Sequence, residues 1–274
     1  MKTNKKFRKI VISLNTNYNG VSLKKCNDNY VGFFEYNNGI VNESLWFCKH
    51  LRDINKDKVK ISKDNLIDIK NKNEKIIVIV LESPHIDEFN KKKFNVAPAP
   101  ALGSTGCNLD KYFCKVIERC FKKYMVKDGK YHVILSNAIQ YQCSLGADTE
   151  VFRDRVWLKL WLNRSFKKYF IARLKEYSPD IIMNFCTKGS HKKDEFQPPR
   201  TKTVINALYL KSIYDSGYIK GSNINIPKKI NTTLQELTQE AIDKYSNNKL
   251  NMCFIGNKHP SVWINDKDIK ITKV

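Results

Sequence analysis

No C-x-x-C pair occurs in this 274-residue chain, although it holds eight cysteines. Without that spacing, zinc and iron–sulfur ligation find little support. Several of the cysteines sit in apolar runs, where a free thiol packs as a small hydrophobe. No apolar segment approaches the roughly 20 residues that cross a bilayer. The charged start, Met1-Lys2-Thr3-Asn4-Lys5-Lys6, is not followed by the apolar core of a signal peptide. A soluble, reducing, cytoplasmic setting with no membrane partner is expected. Acids are scarce as well: 27 Asp and Glu face 49 Lys and Arg, a formal charge of +22. A cation of that size draws polyanions, nucleic acid first. Part of the lysine and asparagine surplus is what an AT-rich genome produces, so charge alone does not name the partner.

Hydrophobic residues make up 42% of the chain, enough to bury a core. Ile76 to Leu81 is an unbroken aliphatic run, which suits a strand covered on both faces, as in a parallel sheet. Pro84 cannot donate a ladder hydrogen bond, so the strand stops and gives way to Glu82-Ser83-Pro84-His85-Ile86-Asp87-Glu88. Similar strands are expected at His132–Ser136, Asp180–Cys186 and Leu250–Gly256. Helices are expected over about Asn108–Tyr124, Glu150–Tyr177 and, behind the capping box Thr233-Leu234-Gln235-Glu236, to about Tyr245. This alternation predicts an α/β domain, a four-stranded parallel sheet sandwiched between helices, over residues 73–274, with a basic insertion at 190–231. Residues 1–72 read as a β-containing extension. It has strands at Ile10–Ile12 and Val31–Tyr36, a hairpin turn at Asn37-Asn38-Gly39, a short helix over Glu43–Leu51 and a polar connector over Asp53–Asn73.

Parallel strands bring their C-terminal loops to one rim, where open α/β sheets bind ligands. Glu82 and His85, Asn137, Lys188, and His259 with Ser261 all fall there. Gly103 and Ser104 lie in a glycine-rich loop that leads into a helix. The start of that helix suits an anion, and a simple cap by Ser104 or Thr105 is equally compatible with the sequence.

In that order these motifs resemble the uracil-DNA glycosylase superfamily. Glu82-Ser83-Pro84 looks like its acid-x-Pro turn, and Ala101 to Leu109 is similar to its glycine-rich pocket loop. Leu135-Ser136-Asn137-Ala138 resembles the strand end whose asparagine reads the flipped base. Pro179-Asp180-Ile181-Ile182 fits a proline-introduced strand, and His259-Pro260-Ser261 matches the His-Pro-Ser motif. The likeness covers about residues 74 to 264. It implies a monofunctional DNA glycosylase, with DNA as its partner, no cofactor, no metal and no obligate protein partner. Glu82 and His259 would be catalytic, with Asp87 or Glu88 as a possible second acid. Asn137, His85 and Gly103 would meet the base, and Ser261, Ser104 and Lys188 the phosphates. The aromatic under the base is open among Phe89, Phe94 and Tyr141. Two departures bear on the substrate. Leu81 stands where the family's usual glycine precedes the acid, and His85 follows Pro84 where members strict for uracil carry a tyrosine shortly after it. Uracil and a C5-modified cytosine, hydroxymethylated or glucosylated as in viral DNA, are both in view, and so are repair and antiviral defence. A non-catalytic DNA or modified-base binding module, and a metal-dependent nuclease built on Glu82, Asp87 and Glu88, are the alternatives.

Overall fold

A computed structural model describes residues 25–47, 62–85, 88, 100–144, 153–154, 156–162, 164–190, 232–246 and 251–274. Among these, seven strands form one sheet. In chain order they are β1 (Asn29–Asn37), β2 (Ile40–Leu45), β3 (Lys75–Leu81), β4 (Gly129–Asn137), β5 (Ile181–Asn184), β6 (Met252–Gly256) and β7 (Ile271–Lys273). The helices are α1 (Lys63–Asn71), α2 (Ser104–Lys123), α3 (Val156–Leu162), α4 (Arg164–Tyr177) and α5 (Leu234–Ser246).

The order across the sheet is β2-β1-β4-β3-β5-β6-β7. Its centre, β4-β3-β5-β6, is parallel throughout. The four-stranded parallel core expected from the alternation of strands and helices is therefore present, but three antiparallel strands extend it. β1 pairs with β4, β2 with β1, and β7 with β6. An uncovered β4 or β6 would leave a row of backbone donors and acceptors without partners, and the added strands satisfy them. The segment carrying Val31–Tyr36 thus belongs to the same sheet. Its turn at Asn38-Gly39 has the positive φ values a tight hairpin needs. Gly32 sits at a bulge in β1 with φ +104, and a Cβ there would lie 2.1 Å from the Ser44 carbonyl oxygen, so no other residue fits.

β3 shows why an unbroken aliphatic run was needed. Ile76, Val78 and Val80 enter one core with α1, α3, α4 and α5; Ile77, Ile79 and Leu81 enter a second core with α2 and the aromatic residues of β1. The α2 stripe from Leu109 to Phe121 is buried as its spacing predicted, with Tyr124 packed at its edge. Trp157 and Trp161 stack at 4.7 Å inside the first core.

Three local expectations are corrected. Glu43–Leu45 belongs to β2, not to a helix, because Glu43 pairs with Phe34 in the hairpin register. The polar connector contains helix α1, capped by the Ser62 hydroxyl accepting from the Asn65 N–H and anchored by Leu66 and Ile69. The long helix to Tyr177 is divided into α3 and α4. The five-residue step from Trp161 to Phe166 breaks the three- and four-residue spacing, so each helix keeps its own buried stripe. The strand expected at Ile10–Ile12 and most of the 190–231 insertion lie outside the described residues.

Candidate active site at the carboxyl edge of the sheet

The chain leaves β3 toward α2 on one face of the sheet and leaves β5 toward α5 on the other. Neighbouring strands whose exits diverge open a crevice at their carboxyl ends. A cavity of about 610 Å³ lies there, walled by the segments after β3, β5 and β6, by the first turn of α2, and by Ser144 and Arg153.

Glu82 is the first residue past β3. Its backbone oxygen accepts from the Ile139 N–H at 3.1 Å and from Trp157 Nε1 at 2.8 Å, which ties the strand end to the β4 exit and to α3. Its side chain is 8% exposed. Oε2 lies 3.1 Å from His259 Nε2 and accepts a long bond, 3.4 Å, from the Thr187 N–H. His259 caps the short 3-10 turn Pro260–Val262, with Pro260 preset at its first position. Asn108 of α2 donates to the Pro260 oxygen at 2.8 Å, and Trp263 Nε1 donates to the Lys258 oxygen at 3.1 Å, so the turn is clamped on both sides. His259 Nδ1 faces the Ser261 hydroxyl at 2.7 Å and the Ser261 N–H at 3.2 Å. A backbone N–H can only donate, so Nδ1 is the acceptor. The neutral ring then carries its proton on Nε2, aimed at Glu82.

Burial alone pushes the Glu82 carboxyl up. The facing His259, electrostatically and by its Nε2–H hydrogen bond, and the Arg153 guanidinium more than offset it and hold the carboxyl down at about 2. The folded value lies below the ordinary one, so the pair stabilises the fold above pH 4.5 and loses that contribution as pH falls toward 2. The gap is worth about 3 kcal/mol. Glu82→Gln is therefore expected to flatten the acid side of the stability–pH curve, measured as denaturant midpoints between about pH 5 and pH 2.

Of the residues singled out from sequence, Glu82, His85, Gly103, Ser104, Lys188, His259 and Ser261 line this one cavity. The Glu82 and His259 side chains are hydrogen-bonded to each other, and no base fits between them. A substrate would lie beside the pair. Asn137 is not among the lining residues. It is 1% exposed, and its amide nitrogen faces Cys26 Sγ at 3.9 Å. Tyr141 is packed in the helix-rich core, edge-on to Phe166. Asp87, Phe89 and Phe94 lie outside the described residues. Glu88, one of the acids expected at the turn, is buried at the cavity wall, with Oε1 accepting from the Ala101 N–H at 2.9 Å. Neither Ser104 nor Thr105 caps α2. Gly103 is the cap and supplies no side chain, and the first turn holds no acid.

Two charged groups escaped notice in the sequence. Arg153 and Asp154 form an ion pair, Nε to Oδ1 at 2.7 Å, at the cavity wall. Nothing in the local pattern marks them. The second is a buried network at the β4 end. Asp28 accepts from Arg173 Nη1, from Ser136 Oγ at 3.0 Å, from Tyr177 OH at 2.8 Å and from Gln140 Nε2 at 2.6 Å. Arg173 Nη2 donates to the Asn137 and Ala138 carbonyls at 2.7 and 3.2 Å. Here a signal was available: Arg173 sits on the buried stripe of α4 between Phe170 and Tyr177, where a cation requires an acidic partner.

Among the described residues no cluster of three or more His, Cys, Asp or Glu could hold a metal ion, and no helix is long and apolar enough to cross a membrane. The seven described cysteines are free. Against protein-family models, curated proteins and solved structures alike, the chain has no match.

Proposed function

We propose that the chain is a cytoplasmic, monofunctional DNA glycosylase that hydrolyses the N-glycosidic bond of a flipped-out pyrimidine, uracil or a modified cytosine, and leaves an abasic site. One observation carries this reading. A buried carboxylate kept ionised is hydrogen-bonded to an imidazole whose other nitrogen is fixed, on the wall of a cavity that also presents Arg153, Lys188 and Lys258.

The chemistry asks for those properties. As the C1′–N bond breaks, its electron pair goes to the base, and positive charge builds on the sugar. An ionised Glu82 stabilises that charge and orients the water whose oxygen forms the new bond to C1′. The proton lost by that water passes to the carboxylate, and the departing base takes up a proton from solvent. In the structure His259 Nε2–H donates a hydrogen bond to Glu82. A base oxygen placed beside Nε2 competes for that proton, so binding transfers the donor to the developing anion and releases the carboxylate to face the sugar. The duplex has to surrender its nucleotide for this, since an edge cavity reaches no stacked base. The surplus of cations suits the phosphates of such a substrate.

The test is incubation with oligonucleotides carrying uracil, 5-hydroxymethylcytosine or its glucosylated form, followed by alkali and a denaturing gel. The expected result is strand breakage at the marked base after alkali and none before it, in the presence of EDTA. Tight, salt-sensitive DNA binding with no alkali-labile product from any substrate would overturn the reading in favour of a binding module on the same fold.

A further inference from the structure

The chemistry above uses Arg153 only as a charge that helps keep Glu82 ionised. Its side chain is 15% exposed and that of its partner Asp154 is 0% exposed, so a complete ion pair has been withdrawn from water beside the buried Glu82 carboxylate. Such burial costs several kcal/mol unless geometry and hydrogen bonds compensate. The compensation is lopsided. Asp154 accepts from Arg153 Nε and from the Ser190 N–H, so it is fixed to the segment after β5. Arg153 donates through Nε alone: neither terminal amino group has an acceptor among the described residues, and the residue lines the cavity. Its charge reaches Glu82 without a hydrogen bond. A guanidinium pinned at Nε retains a planar set of donors suited to paired oxygens. The neighbouring wall is also rich in donors, with the Thr187 and Ser190 hydroxyls and the Lys188 and Lys258 ammonium groups. A volume of about 610 Å³ is that of a pocket for a drug-sized ligand and exceeds what a bare pyrimidine ring fills.

We infer that Arg153, oriented by Asp154, is a specificity-determining residue that grips an oxygen-rich substituent on the base, hydroxyl-bearing or carboxylate. The inference rests on the glycosylase reading and narrows it: the preferred substrate is a pyrimidine enlarged by acceptor groups, with uracil the poorer one.

Single-turnover excision by the wild type, Arg153→Lys and Arg153→Ala decides it, on DNAs carrying uracil, 5-hydroxymethylcytosine, its glucosylated form and 5-carboxylcytosine. The lysine variant keeps a cation for Asp154 and loses only the fork, so it guards against misfolding of the alanine variant. The expected result is a wild-type preference for an oxygen-bearing base. In Arg153→Lys the ratio of kcat/KM for that base to kcat/KM for uracil falls about 10- to 100-fold. The two modified families separate hydroxyl from carboxylate recognition. An equal loss on every base, uracil included, would assign Arg153 to the phosphate backbone and overturn the inference, as would a wild type that excises uracil alone. If the wild type releases no base at all, the glycosylase reading falls by itself. Calorimetric binding of the free modified deoxynucleosides then judges Arg153. Selective weakening in Arg153→Lys relative to deoxyuridine supports its role, and unchanged binding overturns it.

Discussion

Replacing Glu82 with glutamine is expected to lower the single-turnover rate of base release by about 100- to 10,000-fold, with the fold retained. The amide keeps the shape of the side chain and its contact with His259 but removes the negative charge that, in the proposed mechanism, faces the sugar. His259→Ala should cost about 100- to 1000-fold, the scale of losing one preorganised donor to a developing anion. The two losses should not add, because one 3.1 Å bond joins the groups and each sets the state of the other. Removing His259 takes away the leading influence that holds the carboxyl down and leaves burial to push it up. His259→Ala should therefore acquire an acid limb near or above the ordinary carboxyl value, below which Glu82 is protonated and inactive. The wild type has no Glu82 limb until about pH 2. Rate–pH profiles of the two proteins check this. Full excision by both single variants would remove Glu82 and His259 from the chemistry.

The largest effect on stability is expected at the β4 end. Arg173→Met strands Asp28, a buried carboxylate that accepts from four side chains, one of them this cation, and should destabilise the protein by about 3 to 5 kcal/mol. In a chain of this size that corresponds to a fall in Tm of roughly 6 to 20 °C. Asp28→Asn alone leaves the guanidinium buried without its counter-charge and should cost a similar amount. The double variant should be milder than the two losses combined, since neither charge is then left uncompensated. Equilibrium unfolding of the four proteins measures this, and simple additivity would show that the two charges are not coupled. The network also bears on the site. Arg173 holds the carbonyls of Asn137 and Ala138, and the next residue, Ile139, donates to the Glu82 carbonyl. A fold-retaining variant at Arg173 should thus slow excision more than it weakens DNA binding.

What could be read from the sequence tracks how local the determining physics is. The β3 run showed its two-sided burial directly, because each of its residues has one task. The α2 stripe and the Thr233/Glu236 capping box were equally explicit, and the reciprocal bonds of that box are present. The convergence of Glu82 and His259 followed from parallel strands sharing an edge. Their direct contact did not, since it depends on how far the Pro260 turn is drawn in by Asn108 and Trp263. Arg153 was invisible because it falls in a stretch whose local pattern suggested only an amphipathic helix. Asn137 shows the opposite failure. It does end its strand, yet its amide faces Cys26, because the β1 side of the sheet, read from sequence as a separate extension, packs against β4.

The cavity also carries a schedule. Glu82 directly follows β3, whereas His259 follows β6, which pairs with β5. In a nascent chain β1 to β6 are therefore all translated before the imidazole exists to meet the carboxylate. Until the stretch through Ser261 has been translated, Glu82 lacks the partner that keeps it charged in a buried setting. On the proposed reading, catalytic competence then waits on the turn that follows β6.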